Sequence, residues 1–190
     1  DQVRADGALY FSSAGNSGNL SDGTAGAWEG DFVPGPNVNG LIAHDFGGGD
    51  FTNAITLDSP FVFTLHWNDP QGASSNDYDL FLVNAAGTQL LAASTDLQNG
   101  NDDPFEIIGS AGNDFGRQLI VLRHPNSANR HFQLNANRGR LEHTTAGQLF
   151  GHTAARGAIS VAAVDARSQL SGFTGSESVE TYSSDGPRRV

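Results

Sequence analysis

One stretch constrains the fold more than any other. Phe61-Val62-Phe63-Thr64-Leu65-His66-Trp67 places Phe61, Phe63, Leu65 and Trp67 on one side of an extended chain and Thr64 and His66 on the other. Side chains alternate across a strand, so this pattern predicts a strand in a sheet with one buried and one wet face. Trp28 and Trp67 are both of a type that can stack on sugar, but Trp67 falls in phase with the apolar set, which favours a core position for it. Asp79-Leu80-Phe81-Leu82-Val83 reads as a second strand. Asn84-Ala85-Ala86-Gly87 is a hairpin connection, with Gly supplying the left-handed position, and Gln89 to Ser94 is the return strand. Gln118 to Arg123 and Arg130 to Asn135 form a further candidate pair. Short strands at this spacing predict an antiparallel sandwich over residues 41–143. With 24 Gly, many Asn and Asp, and few helix formers, the composition suits strands joined by tight turns.

Residues 1–40 and 144–190 read differently. Leu9-Tyr10-Phe11-Ser12-Ser13-Ala14 and Ala158-Ile159-Ser160-Val161-Ala162-Ala163-Val164 are apolar on both faces, the pattern of strands buried in a parallel sheet. A tract rich in Gly, Pro and Asn from Asn19 to about Asn39 reads as loop, Ala146 to Arg156 as a short helix, and Val179 to Ser184 as extended chain.

Several function classes are disfavoured at this level. The chain has no Cys, hence no disulfide or thiolate metal site. All ten basic residues are Arg, set against 21 acids for a net charge of -11, which argues against nucleic acid and anionic membrane as partners. No apolar run approaches the roughly 20 residues of a membrane helix. The six His residues show no His-Glu-x-x-His spacing, and His66 and His131 fall on the polar faces of their strands. The chain has no Met, so Asp1 reads as the start of a processed product or an excerpt.

The flanks carry a resemblance. Leu9 to Gly18 resembles the strand of subtilisin-like serine peptidases that ends in Ala-Gly-Asn-x-Gly. Gly157 to Asp165 resembles the next strand of that family, and Tyr182-Ser183-Ser184-Asp185-Gly186-Pro187 resembles the segment that precedes its nucleophile motif. The tract between them resembles a jelly-roll accessory domain of some subtilases, through Leu65-His66-Trp67-Asn68-Asp69-Pro70 and Asn76-Asp77-Tyr78-Asp79-Leu80. In those relatives that domain usually follows the catalytic domain; the resemblance implies that here it is inserted into it. The resemblance implies a mainly β chain, an antiparallel jelly-roll-like sandwich inserted between strands of a partial α/β subtilase domain. It implies that the two flanking strands pair in parallel. It also implies a serine endopeptidase acting on protein or peptide substrates, outside the cell or in its envelope, with the triad Asp, His and Ser outside these 190 residues.

Asn16 is the candidate catalytic residue implied by that match. A neutral, rigid amide donor at a strand end suits the oxyanion that forms when a peptide carbonyl is attacked. The plain alternative is that Gly15-Asn16-Ser17-Gly18 is a turn. Ser17 lacks the spacing of a nucleophile elbow. Asp69, Asn76, Asp77 and Asp79 are candidate ligands for a structural calcium, with turn capping as the plain reading; Asp102, Asp103 and Glu106 form a second acidic stretch. A competing functional class is a noncatalytic carbohydrate- or protein-binding sandwich on a degenerate peptidase scaffold.

Overall fold

The computed structural model describes residues 2–59, 61–169, 172 and 174–189. The strands are β1 (Tyr10–Ser13), β2 (Ala27–Asp31), β3 (Pro34–Val38), β4 (Leu41–His44), β5 (Asn53–Leu57) and β6 (Val62–Trp67). They continue with β7 (Tyr78–Val83), β8 (Leu90–Ser94), β9 (Phe105–Gly109), β10 (Gln118–Arg123), β11 (His131–Asn135), β12 (Arg140–Leu141) and β13 (Ala158–Val161). The chain is mainly β and divides into two compact units, Gly26–Thr145 and Asp1–Ala25 with Ala146–Arg189.

Gly26–Thr145 is a sandwich of two antiparallel sheets. One has four strands in the order β2-β11-β6-β9. The other has seven and is centred on β10, which pairs with β7 along one edge while β5 and β4 share the other; β8, β12 and β3 complete it. Alternation decides what fills the space between them. Phe63, Leu65 and Trp67 of β6, with Phe132 and Leu134 of β11, meet Tyr78, Leu80 and Leu82 of β7 and Leu119 and Val121 of β10. Burying side chains of this size contributes about 1.5–3 kcal/mol each. Trp67 packs on Tyr78 at 5.2 Å and its indole N–H donates to Ser74 Oγ at 3.1 Å, so its polar atom is satisfied inside the core.

The expected hairpin is present: Gly87 N–H donates to the Asn84 carbonyl at 2.9 Å, and Gly87 sits at φ +68°. Two expectations need correction. The strands at 118–123 and 131–135 exist but do not pair with each other. Each has apolar side chains facing the interior from its own sheet, and the chain between them passes from one sheet to the other. The tract from Asn19 to Asn39, read as loop, contains β2 and β3, so the sandwich unit begins at Gly26 rather than 41 and ends at Thr145 rather than 143. Its loop-forming residues serve as strand residues for positional reasons. Pro34 and Pro36 lie in β3, which ends the sheet, where a missing N–H is tolerated. Gly30 is overlain by the Trp28 indole, and a Cβ there would meet Trp28 Cη2 at 2.7 Å.

In the other unit β1 and β13 pair in parallel, with Tyr10 opposite Ala158 and Phe11 opposite Ile159. The expected burial is not observed: Leu9 is 73% exposed and Phe11 59%, and Ile159 and Val161 are exposed as well. A two-stranded ribbon has no sheet neighbours, and among the described residues only short helical turns, such as Gln2–Ala5 and Gly151–Ala154, accompany it. The short helix expected over 146–156 is that single 3₁₀ turn at Gly151–Ala154.

Candidate functional site

Asn16 follows the C-terminal end of β1 in a turn made possible by two glycines in the left-handed region, Gly15 at φ +100° and Gly18 at φ +80°. A Cβ at Gly18 would meet the Thr24 carbonyl oxygen at 2.1 Å, so only Gly fits there. The turn is held by the segment around Ser184. Ser17 N–H donates to Ser184 Oγ at 3.0 Å, Ser184 N–H to the Gly15 carbonyl at 3.1 Å, and Gly18 N–H to the Tyr182 carbonyl at 3.0 Å. Ser183 Oγ accepts from Ala163 N–H at 2.9 Å, tying the same segment to the chain after β13. Ser17 is buried. Asn16 is exposed, and among the described residues nothing hydrogen-bonds its carboxamide. The three sequence segments are therefore adjacent in space, with a free amide donor at their junction.

In the sandwich the four residues read as calcium ligands fall into two groups. The Asp69 carboxylate accepts from Asn76 Nδ2 at 2.8 Å, Asn76 N–H at 3.1 Å, the Ser74 hydroxyl at 3.0 Å and Arg130 Nε at 2.6 Å. Burial pushes this carboxyl up, but the hydrogen bonds from Asn76 and Ser74 and the Arg130 charge together hold it below its ordinary value. Asn76 Oδ1 accepts from Ala128 N–H at 2.7 Å. Asp69 and Asn76 are thus committed to a structural network that fastens the chain before β7 to the chain before β11.

Asp77 and Asp79 point elsewhere. Residues two apart on a strand share a face, so Asp77, Asp79 and Phe81 project from the outer side of the seven-stranded sheet, opposite to Tyr78 and Leu80. On the neighbouring strand Ile120 and Leu122 share that face, and His124 continues it. Leu122 stands opposite Asp79, and His124 N–H donates to the Asp77 carbonyl at 3.0 Å, extending the ladder. His124 Nε2 lies 3.4 Å from Asp77 Oδ2 and 3.3 Å from Asp79 Oδ2. The three donor atoms are within 4.8 Å of one another. Burial pushes the Asp79 carboxyl up, the His124 charge opposes this, and the neighbouring Asp77 charge adds to the rise. His124 had no signal in the sequence beyond its place one residue past a predicted strand. The acidic stretch at 102–106 does not converge. Asp103 Oδ1 accepts from Gly72 N–H at 2.7 Å, whereas Glu106 is buried and accepts from Ser94 Oγ, from Gln98 Nε2 at 2.8 Å and from Asp96 N–H at 3.2 Å.

His131 lies on the polar face of its strand, where it bridges Glu29 Oε1 at 3.1 Å and Asp31 Oδ1 at 2.9 Å. Among the described residues no helix is long and apolar enough to cross a membrane. No protein-family model matches the chain, and the comparison with curated proteins gives no match.

Proposed function

We propose that this chain is an internal part of a subtilisin-like serine endopeptidase, with Asn16 as a donor to the oxyanion and the sandwich as an insert in the catalytic domain. The observation that carries this reading is the junction at Asn16. Three short segments that resemble the family's pattern are far apart in sequence and adjacent in space, and their junction leaves an unengaged amide just past a parallel strand. The fixed backbone around it supplies the preorganisation that oxyanion stabilisation needs, since a donor already in place does not reorganise as charge develops.

On this reading the nucleophilic Ser, the His base and its Asp partner are supplied outside these 190 residues. Ser attacks the scissile carbonyl, His takes its proton, and the Asn16 side chain with a backbone N–H meets the oxygen as it becomes negative. The insert modulates substrate access or binds a partner, and the enzyme works outside the cell or in its envelope. The 190-residue chain by itself should leave casein and chromogenic peptides intact. In the complete polypeptide Asn16→Ala should lower kcat by about 10²–10³-fold with little change in KM, because the donor meets charge present only in the transition state; this magnitude is that of the same kind of donor in subtilisin. Active-site-titrated enzyme separates the alternatives: an unaltered kcat in the Ala variant assigns Asn16 to the turn alone. A complete polypeptide without Asp and His motifs before this region and a Ser motif after it favours the noncatalytic binding module.

A further inference from the structure

We propose that Asp77, Asp79 and His124 form a binding site for a divalent transition ion of the zinc class, on the outer face of the seven-stranded sheet. The inference is independent of the peptidase reading.

Geometry supports it first. Two ligands on a tetrahedral ion with arms of about 2.1 Å stand about 3.4 Å apart. The imidazole Nε2 lies 3.4 Å and 3.3 Å from one oxygen of each carboxylate. Asp79 lies in β7, and Asp77 and His124 continue the β7–β10 ladder just past the strand ends, so the three are held before an ion arrives. Asp77 is fixed further by Ser127 Oγ, which accepts from its backbone N–H at 2.7 Å.

Charge supports it independently. The side chains of Asp77 and Asp79 are only 9% and 5% exposed. Two carboxylates buried side by side require a cation or a proton. Among the described residues neither is paired with an Arg. Among the described residues Asp79 has no hydrogen-bonding partner other than His124, and its Oδ1 accepts from no donor. A protonated His124 balances one of the two carboxylates, whereas a divalent ion held by the neutral imidazole balances both.

Ligand type selects the ion. Calcium takes six to eight oxygens, and Asp69 and Asn76 are fully engaged elsewhere, which leaves two carboxylates and a nitrogen. One imidazole with two carboxylates suits zinc and its neighbours in the first transition row. The His124 side chain is 39% exposed, so water can complete the coordination from the solvent side.

The test uses the tag-free chain, a chelator-competition titration with zinc, and melting curves for the wild type, Asp79→Asn and His124→Gln. One saturable zinc equivalent is expected for the wild type, with a melting temperature raised by about 100 µM zinc and restored by chelator. Each variant should lose at least about tenfold in zinc affinity. Asp79→Asn should melt no lower than the wild type in chelator, because it removes one of two buried like charges; this separates loss of ligation from loss of fold. Cobalt should give the visible absorption of a tetrahedral site in the wild type and not in either variant. Equal zinc affinity in the wild type and both variants overturns the proposal, as does the absence of saturable binding. A melting shift produced by calcium and not by zinc also overturns it and returns the site to an oxygen-only set.

Discussion

The sandwich and the β1–β13 ribbon look alike in sequence and differ in what their apolar residues achieve. Both are built from short runs of Leu, Ile, Val and Phe. In the sandwich, Leu65, Trp67, Leu80, Leu119, Phe132 and Leu134 are fully buried, because two sheets place their alternating faces against each other. In the ribbon, Leu9, Phe11, Ile159 and Val161 remain exposed, because strands apolar on both faces need a cover on both faces. Apolar content alone therefore does not predict which segment is stabilised by burial. The sandwich closes its own core, and the ribbon does not.

The largest test of this contrast is truncation of a core ring. Phe132→Ala should cost about 3–5 kcal/mol in urea unfolding, whereas Phe11→Ala should cost about 0.5 kcal/mol or less. Trp28 and Trp67 both lie in the sandwich and report its unfolding; hydrogen exchange at β1 and β13 reports the ribbon. If the amides of β1 are protected as strongly as those of β6, the contrast fails.

Next in size is the pH response of the sandwich. His44 is fully buried, its ring packed against those of Trp28, Phe46 and Phe132 at 4.5, 4.6 and 4.8 Å and that of Phe32 at 5.3 Å. Val33 N–H donates to its Nδ1 at 3.1 Å, while Nε2 has no partner among the described residues. Burial lowers its pKa from 6.5 to about 4, with the charge of Asp45 opposing the shift. Between those values the unfolded chain binds the proton first. The His44 contribution is therefore complete above pH 6.5 and falls by up to about 3 kcal/mol as the pH drops toward 4. His44→Phe should flatten this part of the pH–stability curve, and a curve unchanged in shape would refute the assignment.

Glu106 acts with the opposite sign and sharpens the same comparison. Burial raises its pKa, against the hydrogen bonds from Ser94 and Gln98. Its contribution is present below the unfolded value and lost as pH rises through the folded one. Relative to wild type, Glu106→Gln should become more stable as the pH increases from about 4.5 upward; a difference that is flat with pH removes Glu106 from the account. Smallest is the effect of Asn16→Ala on the stability of this chain, within about 0.5 kcal/mol, since an exposed, unbonded side chain has little to lose. A large loss of stability would mean that Asn16 holds its turn together.

The sequence by itself determined the hairpin at Asn84 to Gly87, the core position of Trp67 and strands at 61–67, 79–83 and 89–94, which the structure bounds at Val62–Trp67, Tyr78–Val83 and Leu90–Ser94, leaving Phe61 exposed. Each of these rests on period-two alternation or on a backbone angle that Gly supplies, and both are local properties. Tertiary structure decided the remainder. β10 and β11 read as partners and lie in different sheets, because pairing depends on which faces must meet across the core. Pro34-Gly35-Pro36 reads as loop and serves as an edge strand, because an edge needs fewer N–H donors. Asp69 to Asp79 reads as one acidic group; Arg130 and Asn76 engage the first of its carboxylates, and His124, 45 residues beyond Asp79, joins the last two. A side-chain cluster drawn from neighbouring segments of a sheet is fixed by register, and register is not written in either strand alone.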